Sequence, residues 1–169
     1  MAKNPIEEFI ERLPFFKEFS AAEREKVVLT SGIFEKFKLG QVIISEGEIS
    51  ASAFVILKGT IVIQKKVKVD VKENHIPLQD SGDLTIKELK AGSIFGEISL
   101  ISRRPRNTSA IVTSNQVVVM KITNEIYEKF NFTIQRKIQN QLVQLLVERI
   151  EDMNEKYIKL KASTLKLES

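Results

Sequence analysis

The most informative part of the chain is residues 95–110, which read FGEISLISRRPRNTSA. Gly96 permits a close approach of the backbone, and residues 97–101 predict a short helical turn directly after it. The first amide N–H groups of a helix have no partner within it, so this turn favours an anion near Gly96. We expect Pro105 to break the turn and bring Arg106 back, because an arginine that faces free amides can clamp a phosphate.

The carboxylate of Glu97 adds a hydrogen-bond acceptor to the same place. A carboxylate suits a sugar hydroxyl and not a phosphate, because it accepts hydrogen bonds and repels an anion. A site for one phosphate and one ribose hydroxyl would fit a nucleotide with a single phosphate.

The chain around this stretch has the pattern of a β-protein. Short β-type runs lie between glycine and polar turns, at residues 41–45, 53–57, 60–64, 110–113 and 116–122. Residues 66–72 alternate lysine or aspartate with valine, and residues 73–83 read as a hairpin loop. The sequence predicts a mainly β fold, a β-roll or jelly roll of about eight strands with flanking helices.

Helical patterns stand at both ends of the chain. At the N-terminus, apolar residues recur at helical spacing up to Pro14, and Ser20 followed by Glu23 is a capping-box pattern for a second helix. Apolar residues spaced by three or four positions between Ile134 and Leu160 predict one long amphipathic helix. We therefore divide the chain into a helical segment (1–31), a β-roll (32–123) and a C-terminal helix with its tail (124–169).

Composition excludes several classes of function. The 169 residues are 43% hydrophobic and 28% charged, which is typical of a globular domain, and the net charge of +4 is a mild surplus. There is no cysteine and only one histidine, His75, too few for a zinc site, a cupin-type metal enzyme or a Ser-His-Asp triad. With no signal core and no bilayer-spanning run, we predict a cytoplasmic protein that is not an enzyme and binds neither a metal nor a membrane.

The stretch at 95–110 resembles the phosphate-binding cassette of cyclic-nucleotide-binding domains, the family of protein kinase A regulatory subunits, cyclic-nucleotide-gated channels and the bacterial catabolite activator protein. The family pattern is matched in order by Phe95, Gly96, Glu97, Ser99, Leu100 and Arg106. A second family signature fits residues 43–48, 54–56 and Gly59. Because the two motifs occur in order and at the right separation, the resemblance is specific, and it extends over residues 12–160.

The resemblance implies a role for each residue of the cassette. Arg106 would pair with the cyclic phosphate, and Glu97 would accept a hydrogen bond from the ribose 2′-OH. Gly96 and the amides near Ile98 and Ser99 would approach the sugar and the phosphate.

The two residues after the arginine depart from the family pattern. Asn107 and Thr108 stand where the family usually has Ala, Ser or Thr, and the first of them often donates its backbone N–H to the phosphate. Because a threonine at that position is associated with cGMP in some relatives, Asn107 leaves the choice of nucleotide open, and we favour cAMP over cGMP.

Four other side chains that could contribute to a nucleotide site have two interpretations each. Arg103 and Arg104 would add positive potential near the phosphate, although a solvated charged loop is the simpler interpretation. Met153 and Tyr157 are candidates to cap the base from the C-terminal helix, and ordinary helix packing explains them equally well.

The function expected from these features is that of a cyclic-nucleotide sensor. The ligand would order the cassette, which would then reposition the C-terminal helix, and the apolar stripe of that helix would pair two chains as a homodimer. One alternative is a catabolite-activator-like transcription regulator without its DNA-binding part, because nothing after Leu160 could form a recognition helix and we expect no DNA binding. The other alternative is a ligand-free dimerisation scaffold, which the pair Glu97 and Arg106 argues against. The sequence does not identify the downstream effector.

Overall fold

The computed structural model describes residues 5–67 and 82–167. The chain separates into two compact units, one ending at Phe130 and the other beginning at Asn131. The alternation at 66–72 and the hairpin loop at 73–83 lie almost wholly outside the described residues, although Asp83 begins a strand. The division of the chain at residues 31 and 123 stays a prediction.

Within residues 5–67 and 82–167, eight antiparallel strands form two four-stranded sheets. The strands are β1 (Phe34–Lys38), β2 (Val42–Ile44), β3 (Ser52–Lys58), β4 (Thr60–Lys66), β5 (Asp83–Lys90), β6 (Ile94–Phe95), β7 (Ser109–Val112) and β8 (Gln116–Thr123). One sheet has the order β1-β8-β3-β6 and the other β2-β7-β4-β5. The predicted β-roll with flanking helices is confirmed, and each predicted run of 41–45, 53–57, 60–64, 110–113 and 116–122 overlaps a strand.

An apolar cluster fills the space between strands of both sheets. Its buried members are Ile44, Phe54, Ile56, Ile61, Leu89, Phe95, Ala110, Val112, Val117 and Val119. Phe54 of β3 pairs in register with Phe95 of β6, and their rings stack with centroids 5.1 Å apart. This pairing fixes the residue that directly precedes Gly96, so the core determines where the cassette begins.

The N-terminal helices are α1 (Pro5–Glu11), a 3-10 turn (Pro14–Phe16) and α2 (Ala21–Val28). The capping box predicted for α2 is present, because the Ser20 side chain accepts from the Glu23 amide and the Glu23 side chain accepts from the Ser20 amide. A reciprocal cap of this kind satisfies two amide donors at the start of the helix.

Three helices follow the cassette glycine in the chain: α3 (Glu97–Ser102), α4 (Asn124–Glu128) and α5 (Phe132–Leu167). The side chain of Asn131 caps α5 by accepting from the Ile134 amide at 3.0 Å. Helix α5 has 36 residues and extends beyond Leu160, where the predicted stripe ends. Among the described residues, no helix is long and apolar enough to cross a membrane.

The end of α3 differs from the prediction. The helix ends at Ser102, and Arg103 follows in the left-handed region with φ of 56° while its amide donates to the Ser99 carbonyl at 3.0 Å. Pro105 lies in the irregular segment that follows and does not itself end the turn. A left-handed residue can end a helix locally, which is the role that arginine takes here at some conformational cost.

Candidate functional site

Arg106 is a buried cation of the cassette, with 4% of its surface exposed. Its Nε donates to Ser50 Oγ at 3.0 Å, and one terminal nitrogen donates to the Gly96 carbonyl at 2.6 Å. The other terminal nitrogen donates to both the carbonyl and the hydroxyl of Ser52, each at 2.8 Å. The guanidinium is therefore held from all of its nitrogens by neutral oxygens.

The backbone places this side chain through two hydrogen bonds to the turn after β2. The Arg106 amide donates to the Glu48 carbonyl at 2.9 Å, and the Gly47 amide donates to the Arg106 carbonyl at 2.8 Å. Gly47 has φ of 85°, a conformation that favours glycine. The turn and the arginine are thus joined at the start of the strand pair β2–β7.

Gly96 is required at its position for two reasons. Its φ of 76° lies in the left-handed region, which favours glycine, and there is no room for a Cβ. Its carbonyl also accepts a hydrogen bond from Arg106. A Cβ at this position would lie 2.9 Å from an Arg106 terminal nitrogen and from Ile44 Cδ1, and 3.0 Å from the Ser52 carbonyl oxygen. Any side chain here would therefore push against the guanidinium.

The electrostatics of Arg106 are set by burial. Removal from water lowers the pKa of Arg106 from its ordinary value, and the charges of Glu48 and Glu97 oppose that shift. A guanidinium stays protonated in proteins, so the site holds a buried positive charge. The hydrogen bonds of its guanidinium to Ser50, Gly96 and Ser52 all end on neutral groups, an arrangement that an incoming anion would complete.

The other predicted cassette residues lie on α3, directly after Gly96. Glu97 and Ser99 are buried, whereas 41% of the Ile98 surface is exposed. Helix α3 begins without a side-chain cap at Gly96 and packs against β3. The structure therefore brings Gly96, Glu97 and Arg106 to one place, and the ligand contacts that the resemblance implies for them stay predictions.

The predicted residues after the arginine are held by a separate network. Asn107 is exposed and Thr108 is half-buried. Lys65 Nζ on β4 donates to the Asn107 carbonyl at 2.9 Å, and the same amine lies 3.9 Å from a carboxylate oxygen of Glu46. The Ser109 hydroxyl accepts from the Glu46 amide at 3.0 Å. This network ties the exit of the cassette to the turn after β2 and to β4.

Four residues of secondary interest are all exposed: Arg103, Arg104, Met153 and Tyr157. The exposure of the two arginines agrees with a solvated loop. His75 lies outside the described residues. In the part of the chain that the structure describes, no group of histidine, aspartate and glutamate residues is arranged to hold a metal ion.

Sequence reasoning missed three residues that the geometry brings into the site. Ser50 and Ser52 accept from the Arg106 side chain, and Lys65 donates to the residue after it. Both serines fall between the two halves of the second motif, residues 43–48 and 54–56. That position was the available signal, because a segment between two motifs of one site is brought near that site.

Comparison with known proteins identifies a family for most of the β-roll. The family model described as cyclic nucleotide-binding domain matches residues 34–131. The cAMP-dependent protein kinase regulatory subunit of Dictyostelium discoideum is 31% identical over 110 residues, which is 64% of this chain and 30% of that protein. The corresponding subunit of Mycosarcoma maydis is 29% identical over 100 residues, which is 59% of this chain and 17% of that protein. The chain therefore spans less than a third of the length of these relatives.

Solved structures share the fold. A cyclic nucleotide-binding domain from Methylobacillus flagellatus KT superimposes with a TM-score of 0.67 at 22% identity, covering 89% of this chain and 79% of that one. The catabolite activator protein of Thermus thermophilus superimposes with a TM-score of 0.63 at 20% identity, covering 88% of this chain and 63% of that one. At such identities the likeness establishes the architecture alone.

Proposed function

Because the chain belongs to the cyclic nucleotide-binding domain family, we propose that it is a sensor that binds a cyclic nucleotide, with cAMP preferred over cGMP. Arg106 is the observation that carries this proposal. Its buried charge is held by neutral oxygens beside Gly96, where a cyclic phosphate would supply the missing anion. We assign Glu97 to the ribose 2′-OH, and the backbone near Gly96, Ile98 and Ser99 to the sugar and phosphate.

The preference for cAMP rests on the residues after the arginine and on the relatives. Asn107 and Thr108 would lie beside the phosphate, and no threonine stands directly after Arg106 to favour guanine. Most relatives named above are cAMP-dependent kinase subunits, although a cGMP-dependent protein kinase of Toxoplasma gondii is 27% identical over 123 residues. A direct comparison of cAMP with cGMP therefore tests this preference.

The output of the sensor would be a change in the C-terminal helix. A ligand shifts such an equilibrium only by its differential affinity for the two helix positions. Helix α5 exposes the apolar side chains Ile150, Met153, Tyr157 and Leu160, and we propose that this stripe pairs two chains as a homodimer. We further propose a cytoplasmic regulatory protein without catalytic activity, which acts on another protein and not on DNA.

A thermal-shift titration tests the binding. Cyclic AMP and cGMP are compared with linear 5′-AMP, which has the same base and sugar but no cyclic phosphodiester. A ligand that binds only the native state raises the melting temperature. At a concentration of about a hundred times Kd it adds about 2.7 kcal/mol to the free energy of unfolding. The proposal predicts the largest rise with cAMP, a smaller one with cGMP and none with 5′-AMP. Equal melting temperatures with and without each cyclic nucleotide would refute it.

Light scattering on a size-exclusion column tests the dimer. We expect the mass of two chains for the wild type and of one chain for Ile150→Glu, because a charge in an apolar helix interface is costly. Glu151→Lys, an exposed change on the same turn, serves as the control and should leave the dimer intact. A wild-type mass of one chain would exclude the homodimer without affecting the ligand site.

A further inference from the structure

The side chain of Arg106 is held by two serines that lie close together in the chain. Ser50 Oγ accepts from Nε at 3.0 Å, and Ser52 Oγ accepts from a terminal nitrogen at 2.8 Å. Ser52 is buried with 5% of its surface exposed, whereas Ser50 is half-buried. These hydroxyls meet the guanidinium on different nitrogens, so together they fix both its position and the rotation of its plane.

Neutral acceptors have a consequence that carboxylates would not have. A hydroxyl satisfies an N–H donor without cancelling the charge of the guanidinium, whereas a hydrogen-bonded carboxylate would pair with it and compete with a phosphate. Ordering a free arginine side chain costs rotamer entropy. A side chain that is already ordered before binding avoids most of that cost.

We propose that Ser50, together with Ser52, is a positioning residue that holds Arg106 in place before a phosphate arrives. This inference rests on the proposed function, because it assigns to the arginine the phosphate contact argued above. Ser50 supplies its part through its hydroxyl, which accepts from Nε. Ser52 also contributes its backbone carbonyl, which no substitution removes.

A matched pair of substitutions at position 50 isolates the hydroxyl. Ser50→Thr keeps the hydroxyl, and Ser50→Val has the same shape as threonine with a methyl group in its place. We expect cAMP to bind Ser50→Val about fivefold more weakly than Ser50→Thr, the effect of about 1 kcal/mol for one hydrogen bond. Equal affinities of the two variants, in a protein whose wild type binds cAMP, would overturn the inference and leave the proposed function standing.

A second background separates positioning from a general structural effect. Arg106→Lys has no Nε, so the difference between Ser50→Thr and Ser50→Val should vanish in that background. A difference that persists there would contradict the inference, because it would not act through the arginine. If neither double variant binds cAMP measurably, the ligand-free single variants, which keep Arg106, decide the question. The measurement is the exchange of the Arg106 Nε–H with solvent, followed by nuclear magnetic resonance. Slow exchange with solvent in Ser50→Thr and fast exchange in Ser50→Val supports the inference, and equal exchange overturns it.

Failure of the proposed function has a different signature. In that case the wild type itself shows no heat of binding with cAMP or cGMP, whatever stands at position 50.

Discussion

Two arginines are buried in this chain, and their surroundings differ in one respect. Arg24, with 8% of its surface exposed, donates to a carboxylate oxygen of Glu11 at 2.8 Å and to the Phe19 carbonyl. Arg106, with 4% exposed, donates to hydroxyls and carbonyls only. The first cation has its counter-charge built into the N-terminal helices, and the second has none among its hydrogen-bonded partners.

The contrast separates a structural role from a binding role. A buried cation paired with a carboxylate links elements of the fold, here α1 and α2. A buried cation whose hydrogen bonds all go to neutral groups, with Glu48 and Glu97 acting on it only through their charges, gains further stabilisation when an anion binds to it directly. The exposed fraction of the two side chains does not by itself distinguish these roles.

The largest expected effect is on ligand affinity at the cassette arginine. Arg106→Ala should weaken cAMP binding at least about a hundredfold, or about 2.7 kcal/mol, because a phosphate would be left without its charged partner. Isothermal titration calorimetry measures the change. Arg24→Ala is the matched control and should bind as the wild type does; wild-type affinity in Arg106→Ala would remove the distinction between the two arginines.

The next effect is on stability at the other arginine. Arg24→Ala should lower the free energy of unfolding by about 2 kcal/mol, because a charge-assisted hydrogen bond and a bond to the Phe19 carbonyl are lost from a buried side chain. Urea unfolding followed by circular dichroism gives the value. A fully stable Arg24→Ala variant would show that the pair with Glu11 does not hold the N-terminal helices.

A smaller effect distinguishes two glycines that share a conformation. Gly96→Ala and Gly47→Ala each place a side chain at positive φ, which costs about 1–2 kcal/mol of stability. Only at Gly96 would the new Cβ meet the guanidinium, and at Gly47 nothing lies within 4 Å of it. We expect affinity for cAMP to fall about tenfold in Gly96→Ala and to stay unchanged in Gly47→Ala. Equal affinities would mean that the guanidinium can move without loss.

The smallest expected effect lies at the end of α3. Arg103→Gly should raise the free energy of unfolding by about 0.5–1 kcal/mol, because glycine adopts the left-handed conformation at this position without a Cβ clash. Arg104→Gly removes the same charge next to it and serves as the control in the same urea titration. A destabilised Arg103→Gly would indicate that the arginine side chain has a role of its own.

Local patterns in the sequence predicted local structure well. The capping box at Ser20 and Glu23 and the helix after Gly96 depend on residues within one turn of each other, so their signals are contained in the sequence itself. Strand β6 has two residues and exists only because it pairs with β3, which no local pattern can reveal. The ending of α3 was assigned to Pro105 because proline is a strong breaker, whereas the left-handed Arg103 had no sequence signal.

In the site too, the residues of a local motif could be predicted and a contact between distant residues could not. Gly96, Glu97 and Arg106 belong to a motif and could be named from the sequence. The contact between Ser50 and Arg106 joins residues 56 positions apart, and its existence depends on the pairing of the turn after β2 with the start of β7. Serine is also common in turns for reasons of backbone conformation, so the residue type at position 50 carried no functional signal beyond its place between the two halves of the second motif.

A crystal structure of the chain with bound cAMP tests the account most directly. The account predicts a phosphate oxygen of an ordered nucleotide at about 3 Å from a guanidinium nitrogen of Arg106, with the arginine still against Ser50, Ser52 and Gly96. An ordered nucleotide whose phosphate lies elsewhere, with the guanidinium bonded only to Ser50, Ser52 and Gly96, would contradict it.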